Sequence, residues 1–524
     1  MKKVLYLFAS AIVLLIVVLV VNTLHHPFAR LSATGQAPVI HAVSENSIRR
    51  FAGGLRFATV SNGDSAQVQW PVFDSFLVYL QQSYPRVFAS LHDTLINKRA
   101  QVLHWPGKNS NLKPLLFMAH YDVVAPGAYE DEEHDAGQAI FNLEDTPLPP
   151  ATKEATAWEY GPFSGTVTGG RIYGRGTLDM KGVLFGLLEA ADSLLAQGFT
   201  PERDIYFSFG PDEEVGGLLG AAHVARHFKS RGLTFETIYD EGGIIAAPGT
   251  IKDLNQNVAL IGCAEKGIVS YKIRVKGLGG HSSMPPLQTS AGMAGIIMQR
   301  LEQEQMPQRI IGPIQGFLNV AGAGMGFVSK MAIANQWLFG NILLKQLEKA
   351  PPSNALTRTT TAITMLKGSD GANVLPQETE IIVNFRILPG ETSQDVLRHI
   401  EKACRGFSVQ ISPYRTPVEP SRLSPDNGQG YEQLKATILQ QYPGVIVTPY
   451  LTIGATDCKH MGDLSDRIYR FMPVLLTEGE QRSIHNFNEY ISVENYGRMI
   501  GHYYRLIQNF DSPEQKFSAA GKMK

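Results

Sequence analysis

The stretch Asp204–Glu214, DIYFSFGPDEE, joins an apolar run to three adjacent carboxylates. A short apolar run that stops at Gly-Pro is typical of a strand that ends at the edge of a sheet. The simplest interpretation of the acids is a solvated helix start, where carboxylates complement the helix dipole. The alternative is a division of labour, because neighbouring helical side chains point about 100° apart and face different groups. The rest of the sequence has to distinguish these interpretations.

Length and composition restrict the class of protein. The chain has 524 residues and a formal net charge of −1. This length fits two or three domains, and the near-zero charge gives no electrostatic reason to expect a nucleic-acid partner. The three cysteines, Cys263, Cys404 and Cys458, form no CxxC pair, so neither a disulfide framework nor a cysteine-zinc site is expected. Any bound metal would have to be held by His, Asp and Glu.

The N-terminal segment favours a transmembrane helix. Residues Val4–Val21 carry no charge and reach about 27 Å at 1.5 Å per residue, close to the hydrocarbon thickness of a bilayer. Because NTLHHP follows instead of a small-residue cleavage site, we favour a signal anchor over a cleaved signal peptide. Cleavage of a signal peptide would make the protein secreted. Lys2 and Lys3 precede the span, so the remainder is expected outside the cytoplasm. The sequence has no Asn-x-Ser/Thr acceptor, which favours a periplasmic setting.

The remaining chain alternates between two kinds of pattern. Between residues 114 and 243, short apolar runs alternate with helical patterns, which predicts an α/β domain with a mainly parallel sheet. Half-buried strand patterns and helices then predict a β-α-β-β-α-β unit inserted into it. Residues 128–150, rich in acids, Gly and Pro, are predicted to be a surface loop, and 317–348 are apolar at helical spacing, which is typical of core, a subunit contact or a substrate-facing surface. The predicted organisation is an anchor (1–22), a linker (23–43), a first α/β part (44–264), the inserted unit (265–416), a second α/β part (417–510) and a tail (511–524).

Further acids and a histidine follow other predicted strands. His120 and Asp122 lie two residues apart at a strand end, which places both side chains on one side, and a carboxylate there can orient the histidine. Asp179 follows a Gly-rich turn, and Asp240 and Glu241 end another strand. Singly, each is more simply a helix cap or a surface residue. Ligands of α/β sheets gather at the carboxyl ends of strands, however, and four such placements together indicate a site.

These motifs resemble the di-zinc metallopeptidases that include aminoacylase, acetylornithine deacetylase, succinyl-diaminopimelate desuccinylase and glutamate carboxypeptidase. The resemblance extends from about residue 50 to residue 508 and is strongest to the carboxypeptidase S and Gly-Xaa carboxypeptidase branch, which also contains N-fatty-acyl-amino acid hydrolases. It is carried, in order, by MAHYDVV, GRGTLDMKG, GPDEEVGG, YDEGG, GGHSSMPP, NVLP, NFRILPG and IHNFNEYI.

The resemblance implies a site with two zinc ions, for which cobalt or manganese could substitute. One ion would be bound by His120, Asp179 and Asp240. The other would be bound by Asp179, Glu214 and His485, with Asp179 bridging.

The resemblance also implies catalytic roles beside the metals. Asp122 would orient the metal-binding histidine, and Glu213 would be the general base toward a metal-activated water. This would explain the crowded acids, since one glutamate would bind metal and its neighbour would carry the proton. His460 is an alternative histidine ligand, but His485 is preferred.

Four residues are implied to contact substrate. His281, in the inserted domain, would stabilise the tetrahedral intermediate and reach the active site of a second subunit, so a homodimer is implied. Asn373 and Arg386 match positions at the carboxylate end of the substrate, although a turn asparagine and an exposed strand arginine are the simpler interpretations. Gly454 is expected near the pocket.

The predicted function is hydrolysis of the amide bond before a C-terminal amino acid of small peptides. One alternative is hydrolysis or synthesis of N-fatty-acyl amino acids by the same chemistry. Another, of a different class, is an inactive, membrane-anchored peptide-binding protein on the same fold. The predicted fold is an α/β peptidase domain with an inserted, ferredoxin-like dimerisation or lid domain and an N-terminal transmembrane helix.

Overall fold

The computed structural model describes residues 2–28, 43–127, 158–251 and 254–511. The predicted surface loop of 128–150 and most of the predicted linker lie outside these ranges, as does nearly all of the predicted tail. The helices are α1 Lys2–His25, α2 Glu45–Leu55, α3 Trp70–Ser83, α4 Pro85–Ser90, α5 Lys181–Ala196, α6 Ala221–Ser230, α7 Ser290–Gln303, α8 Gly312–Gly324, α9 Phe327–Ala334, α10 Gln336–Leu347, α11 Pro351–Thr357, α12 Ser393–Ala403, α13 Gln429–Gln441, α14 Glu478–Gln481 and α15 Val493–Asp511. The strands are β1 His92–Ile96, β2 Ala100–Trp105, β3 Leu115–His120, β4 Thr166–Thr168, β5 Arg171–Tyr173, β6 Ile205–Gly210, β7 Thr237–Asp240, β8 Ile245–Ala246, β9 Val258–Glu265, β10 Gly267–Lys276, β11 Gly280–His281, β12 Thr360–Lys367, β13 Val374–Leu375, β14 Glu378–Ile387, β15 Val409–Pro413, β16 Ile446–Thr452, β17 Ile468–Arg470, β18 Leu475–Leu476 and β19 Tyr490–Ser492.

The largest sheet has ten strands in the order β1-β2-β6-β3-β7-β17-β9-β8-β18, with β16 paired to β9. Its centre, β6-β3-β7-β17, is parallel. The expected mainly parallel sheet is nevertheless a mixed one, because β1 and β2 form an antiparallel hairpin edge and β9 runs antiparallel to both β8 and β17. The parallel centre positions the site, since its strands end at one edge of the sheet.

Strand β3 shows why this sheet forms where it does. All six of its residues are buried. Leu115 and Phe117 contact the core beneath α5 and α15, whereas Leu116 and Met118 contact the core beneath α6. Alternating side chains therefore bury both faces of the strand, which explains its uninterrupted apolar sequence.

The inserted unit contains the predicted β-α-β-β-α-β order, in the elements β10, α7, β12, β14, α12 and β15. Its four-stranded antiparallel sheet has the order β12-β14-β10-β15, so the second strand of the unit lies at one edge, followed by the third, first and fourth. This is the ferredoxin-like arrangement. Strand β12 is therefore an edge strand, and most of its residues are exposed. A short two-stranded ribbon, β11 with β13, extends from the same unit.

A set of helices, α8 to α11, is added to the inserted unit between α7 and β12. Helix α8 packs on β16 and β9 of the large sheet, where Ile314 and Leu318 belong to a cluster with Leu260 and Tyr450. Helix α1 contacts α9 through its C-terminal end. This is the helical segment that the sequence left open between core, subunit contact and substrate surface; its α8 part is core.

Candidate metal centre

Parallel strand ends bring the acids and histidines together. Strand β3 lies between β6 and β7, in parallel register with both. His120 is the last residue of β3, Glu213 and Glu214 follow β6, and Glu241 follows β7. Because these ends share one edge of the sheet, the side chains converge there, as the strand-end argument predicts.

The His120 imidazole is surrounded by carboxylates. Its Nε2 lies 3.0 Å from Asp179 Oδ1, 3.3 Å from Glu241 Oε1 and 3.9 Å from Glu213 Oε2. The ring is almost completely buried, at 1% exposure. Its other nitrogen, Nδ1, lies 3.3 Å from Asp122 Oδ1, so the ring is held on its far side.

His485 forms a second focus on the other side of Asp179. Its Nε2 lies 2.9 Å from Asp179 Oδ2 and 3.2 Å from Glu214 Oε1. The two oxygens of Asp179 therefore face two different imidazoles, those of His120 and His485. This arrangement is what a carboxylate bridging two cations requires.

Asp122 connects the histidine to the acidic turn. Its Oδ1 accepts a hydrogen bond from the backbone N–H of Glu213 at 3.0 Å, and its Oδ2 accepts one from Glu214 at 3.1 Å. The His120 ring also contacts this fully buried carboxylate. Asp122 thus fixes the positions of three predicted site residues, His120, Glu213 and Glu214.

The structure differs from the sequence interpretation at Asp240. The two oxygens of this residue accept backbone N–H groups, one from Glu241 at 2.9 Å and one from Cys458 at 2.9 Å. Glu241 instead lies against His120 and lines the cavity described below. Glu241, one residue after the predicted ligand Asp240, thus lies beside His120, because the Asp240 carboxylate is held by backbone N–H groups.

Asp212, the first acid of the opening stretch, is part of the framework. Its carboxylate accepts the backbone N–H groups of Leu219 at 2.6 Å and Gly220 at 2.8 Å, immediately before α6. Burial raises the pKa of Asp212 to about 6. The three adjacent acids therefore have three environments, and only the two glutamates reach the site.

Glu489 is a supporting residue that the sequence interpretation missed. Its carboxylate accepts the backbone N–H groups of Gly176, Leu178 and Asp179, and it pairs with the buried Arg175 at 2.8 Å. It thereby fixes the Gly-rich turn that presents Asp179. The only signal in the sequence is its position within IHNFNEYI, four residues after His485.

The electrostatics of the site follow from burial and neighbouring charge. Burial raises the pKa of Glu213 well above its usual range; the His120 imidazole opposes this shift and the Glu241 carboxylate adds to it. Burial also opposes ionisation of Asp179, but hydrogen bonds with His120 and His485 outweigh it and hold the pKa of Asp179 well below its usual range. The two carboxyl groups are thus shifted in opposite directions: the surroundings favour the ionised form of Asp179 and disfavour that of Glu213.

This donor set fits divalent cations. Four carboxylates and two imidazoles are buried together, which is unfavourable unless positive charge compensates the acids. Two groups of three residues each bring their ligand atoms, one from every residue, within 4.8 Å of one another. The groups are His120, Asp179 and Glu214, and His120, Glu213 and Glu241. Imidazole nitrogen with carboxylate oxygen suits zinc, cobalt or manganese. His460, the alternative histidine ligand, contacts the backbone: its Nε2 lies 2.9 Å from the carbonyl oxygen of Gly216.

A cavity of about 940 Å³ opens onto this cluster. Asp179, Glu213, Glu214, Glu241 and His485 line it on one side. The cavity extends from the large sheet to the inserted sheet, since residues of β10 and β14 line it as well. This volume is near the upper end of what small-molecule pockets offer.

Two of the predicted substrate residues line this cavity. Arg386, on β14, and Gly454, after β16, are both in its wall. So is Lys459, which was not predicted to function. Burial lowers the pKa of its amine, but Glu213 and other carboxylates outweigh that effect and raise the pKa above its ordinary value. Arg386 and Lys459 therefore place two basic side chains in the wall of the cavity that the candidate metal ligands also line.

The other two predicted residues lie elsewhere. His281 and Asn373 are both exposed on the β11–β13 ribbon, where Ser282 N–H donates to the Asn373 carbonyl at 3.0 Å, and neither lines the cavity of its own chain. His281 Nδ1 accepts the backbone N–H of Ser283 at 3.2 Å and also lies 2.7 Å from Ser283 Oγ; if the ring is neutral with Nδ1 as acceptor, its N–H is on Nε2. The ribbon therefore presents a hydrogen-bond donor to the outside of the chain.

The chain is similar to known proteins along most of its length. A family model described as Peptidase family M20/M25/M40 matches residues 148–509. A probable carboxypeptidase S-like protein of Dictyostelium discoideum is 33% identical over 464 residues, covering 88% of this chain and 84% of that protein. An N-fatty-acyl-amino acid synthase/hydrolase PM20D1 of Xenopus tropicalis is 34% identical over 513 residues, covering 96% and 94%.

The fold matches solved structures of the same group. An M20 family metallo-carboxypeptidase of Sulfolobus solfataricus superposes with a TM-score of 0.60 at 17% identity, covering 90% of this chain and 100% of that one. The family is one of dinuclear metal-binding peptidases. The family resemblance and the hydrolase activity expected from the sequence are confirmed: this chain is a hydrolase of the M20/M25/M40 peptidase family.

Proposed function

We propose that this protein is a metal-dependent exopeptidase that hydrolyses the amide bond before a C-terminal amino acid. The observation that carries the proposal is the convergence of carboxylates and two imidazoles in the wall of a cavity that Arg386 also lines. The similarity to proteins named carboxypeptidase S-like supports the same reaction.

Five residues would hold the metal ions. His120, Asp179 and Glu241 would bind one zinc ion, and Asp179, Glu214 and His485 the other, with cobalt or manganese as substitutes. The imidazole–carboxylate contacts described above support these two sets. When bound, such ions supply Lewis acidity that polarises the scissile carbonyl and lowers the pKa of water.

Glu213 moves the proton. Its buried carboxylate borders both the cavity and His120, and its raised pKa matches a group that accepts a proton from the attacking water and passes it to the leaving amine. Asp122 is a positioning residue, because it holds the backbone of Glu213 and the ring of His120 without bordering the cavity.

Arg386 sets the exopeptidase specificity. A guanidinium presents a planar fork that binds a free carboxylate bidentately. Located on β14 in the cavity wall, it would bind the carboxylate of the C-terminal amino acid, while Gly454 leaves room for the peptide backbone. Lys459 adds a second cation to that cavity, in the field of Glu213.

An N-fatty-acyl amino acid is the second candidate substrate. Part of the cavity wall is apolar, formed by Ile244, Leu260, Tyr450, Met472 and Leu476. Such a wall suits an aliphatic acyl chain better than a hydrophilic peptide. The relative named as an N-fatty-acyl-amino acid synthase/hydrolase matches nearly the whole chain, which supports this candidate.

A homodimer would complete the site. His281 and Asn373 are exposed on their ribbon, and the partner subunit's His281 would donate Nε2–H to the developing oxyanion. Exposed Met365 and Leu366 on the edge strand β12, with Met284 nearby in sequence to His281, support a contact surface on this unit. An exposed apolar edge strand is a template for pairing with another chain.

We also propose that α1 anchors the enzyme in a membrane, with the catalytic part outside the cytoplasm. The stretch Lys3–His25 is long and apolar enough to cross a bilayer, and only 6% of its most apolar window is buried in the protein. A signal sequence would pass the same test, and its removal would release a secreted enzyme.

The test compares two substrates with the full chain in mild detergent. A blocked Gly-Leu dipeptide and a long-chain N-acyl phenylalanine are each assayed with and without a chelator, and Glu213→Gln serves as the inactive control. Chelator-sensitive cleavage of the dipeptide supports the carboxypeptidase, and preference for the lipid conjugate supports the N-acyl amino acid hydrolase. Metal binding without turnover of either amide would instead favour an inactive peptide-binding protein.

A further inference from the structure

The C-terminal end of α1 is fixed to the helical insertion α8–α11 by a buried asparagine. The Asn335 amide nitrogen, between α9 and α10, lies 3.1 Å from the Leu19 carbonyl oxygen and 3.2 Å from Thr23 Oγ1. Its oxygen accepts Asn22 Nδ2–H at 3.0 Å. Asn335 is fully buried, so these contacts are shielded from water and define the orientation of α1 on the insertion.

Residues just beyond α1 add to this junction. His26 Nε2 lies 2.8 Å from Asn319 Oδ1 on α8. Phe28 packs so closely on Gly322 that a Cβ there would lie 2.6 Å from the ring. The junction therefore spans α8 and α9, which makes a freely swivelling connection between α1 and the insertion unfavourable.

The rest of α1 leaves the protein. Large apolar side chains from Val4 to Val18 are mostly exposed, and Leu19 is the first buried one. Sixteen residues before that point, Lys3–Val18, span about 24 Å. If this part lies in a bilayer, Asn335 and its helices lie near the membrane surface.

The insertion presents an apolar face beside that junction. On α9, Phe327 and Val328 are exposed, and on α10, Trp337, Leu338 and Ile342 are exposed, by 42% to 75%. Leu338 and Ile342 share one side of α10, because they are one turn apart, and the exposed Trp337 directly precedes Leu338. We name these five residues the insertion face.

Charge is nearly absent from this segment. Between Gly312 and Leu344 the only charged residue is Lys330, and no acid occurs. Anionic headgroups would meet no repulsion there. Trp337 has the residue type that is enriched where membranes meet water.

We propose that the insertion face lies in the bilayer surface next to α1, so that the enzyme is held against the membrane by two contacts. This inference rests on the proposed membrane anchor. Helix α8 of the insertion connects this contact with the cavity. It packs on β9 and β16, whose Leu260 and Tyr450 also line the catalytic cavity. The cavity is thereby held close to the lipid, which favours amide substrates that partition into membranes.

Tryptophan quenching tests this contact in the full chain. The chain has four tryptophans, and it is reconstituted into phosphatidylcholine vesicles with or without lipids brominated in the upper part of the acyl chain. We expect bromolipid to quench part of the emission of the wild type. That part should be lost in Trp337→Phe, which retains an aromatic ring, and kept in Trp70→Phe, whose indole lies half-buried on α3 beneath Arg99.

The remaining outcomes contradict the proposal. Equal quenching in the wild type and Trp337→Phe, in chains that resist alkaline extraction, would show that Trp337 does not meet lipid. Absence of bromolipid quenching in both would fit a face covered by a second copy of the chain. If alkaline extraction releases the wild type from the vesicles, both the proposed anchor and this inference are contradicted. Chelator-sensitive hydrolysis by the same preparation would still support the proposed chemistry.

Discussion

The edge of the large sheet and the β11–β13 ribbon hold the two halves of one proposed active site, yet they are built in opposite ways. At the sheet edge, His120, Asp122 and the acids around them are buried and held by backbone hydrogen bonds. On the ribbon, His281 and Asn373 are exposed, and they do not line the cavity of their own chain.

This contrast separates what the fold of one chain fixes from what the proposed dimer would supply. Buried carboxylates require compensation within the chain, by backbone N–H groups or by cations. The framework acids Asp122, Asp212 and Asp240 use N–H groups, which leaves Glu213, Glu214 and Glu241 for chemistry. The ribbon needs no such compensation, because its exposed side chains are in contact with solvent in the single chain.

The largest expected effect is at the general base. Glu213→Gln should lower turnover by about 10²–10⁴-fold, because the amide accepts no proton from water. Metal content should stay at the wild-type level, since Glu213 is not in the proposed ligand sets. Turnover and metal content are measured on the same sample.

Glu214→Gln is the matched control for that substitution. It changes the neighbouring residue by the same atoms but removes a proposed ligand, so metal content should fall along with turnover. If Glu213→Gln loses metal and Glu214→Gln retains it, the two roles are reversed.

On the ribbon, His281→Ala should lower turnover by about 10²–10³-fold, the usual cost of losing one oxyanion donor. Metal content should be unchanged, because His281 lies outside the buried cluster. Steady-state kinetics with a blocked dipeptide, together with metal analysis, check both statements.

Mixing two inactive variants shows whether the site is shared. A dimer of Glu213→Gln with His281→Ala contains one site with both residues intact, so random exchange of subunits should restore about a quarter of the activity. No recovery after verified exchange would place His281 in the site of its own chain and would remove the contrast drawn above.

Arg386→Ala should act mainly on binding. Loss of a charged hydrogen-bond pair corresponds to about 10–100-fold in KM for substrates with a free C-terminal carboxylate, with a smaller change in kcat. For a substrate amidated at its C-terminus, the wild type and Arg386→Ala should have nearly the same KM. A wild-type KM in the variant would exclude Arg386 from carboxylate recognition; Arg386→Lys, which keeps the charge and loses the fork, should fall between the two.

The smallest effect on catalysis is expected at Asp212. Asp212→Asn removes one of two acceptor oxygens from the N–H groups of Leu219 and Gly220, at a cost of about 1–3 kcal/mol in the free energy of unfolding. Turnover should stay within about twofold, since this side chain does not line the cavity. Chemical denaturation and kinetics at one temperature test this, and a large loss of turnover with full stability would give Asp212 a chemical role.

Much of the buried half is predictable because its placement follows a local rule. Residues after parallel strands meet at one edge, so His120, Asp179 and the Glu213–Glu214 pair were predicted from strand ends and a Gly-rich turn. The β-α-β-β-α-β order followed equally from the change of hydrophobic period.

The rest depends on contacts that no local pattern contains. Whether Asp240 or Glu241 enters the site is decided by the backbone N–H of Cys458, 218 residues further along the chain, which holds the Asp240 carboxylate. Likewise, Glu489 looks like an ordinary acid until the fold places it under the Gly-rich turn. The mixed character of the sheet has in part the same origin, because β9 pairs antiparallel with β17, a strand distant in sequence.

We propose that Asp179 bridges two metal ions and that Glu241, not Asp240, completes the ligand set of the ion at His120. Metal content per chain, by inductively coupled plasma mass spectrometry, tests it most directly on the wild type, Glu241→Gln and Asp240→Asn. We expect about two ions in the wild type and in Asp240→Asn, and about one in Glu241→Gln. Two ions in Glu241→Gln and one in a folded Asp240→Asn would contradict it.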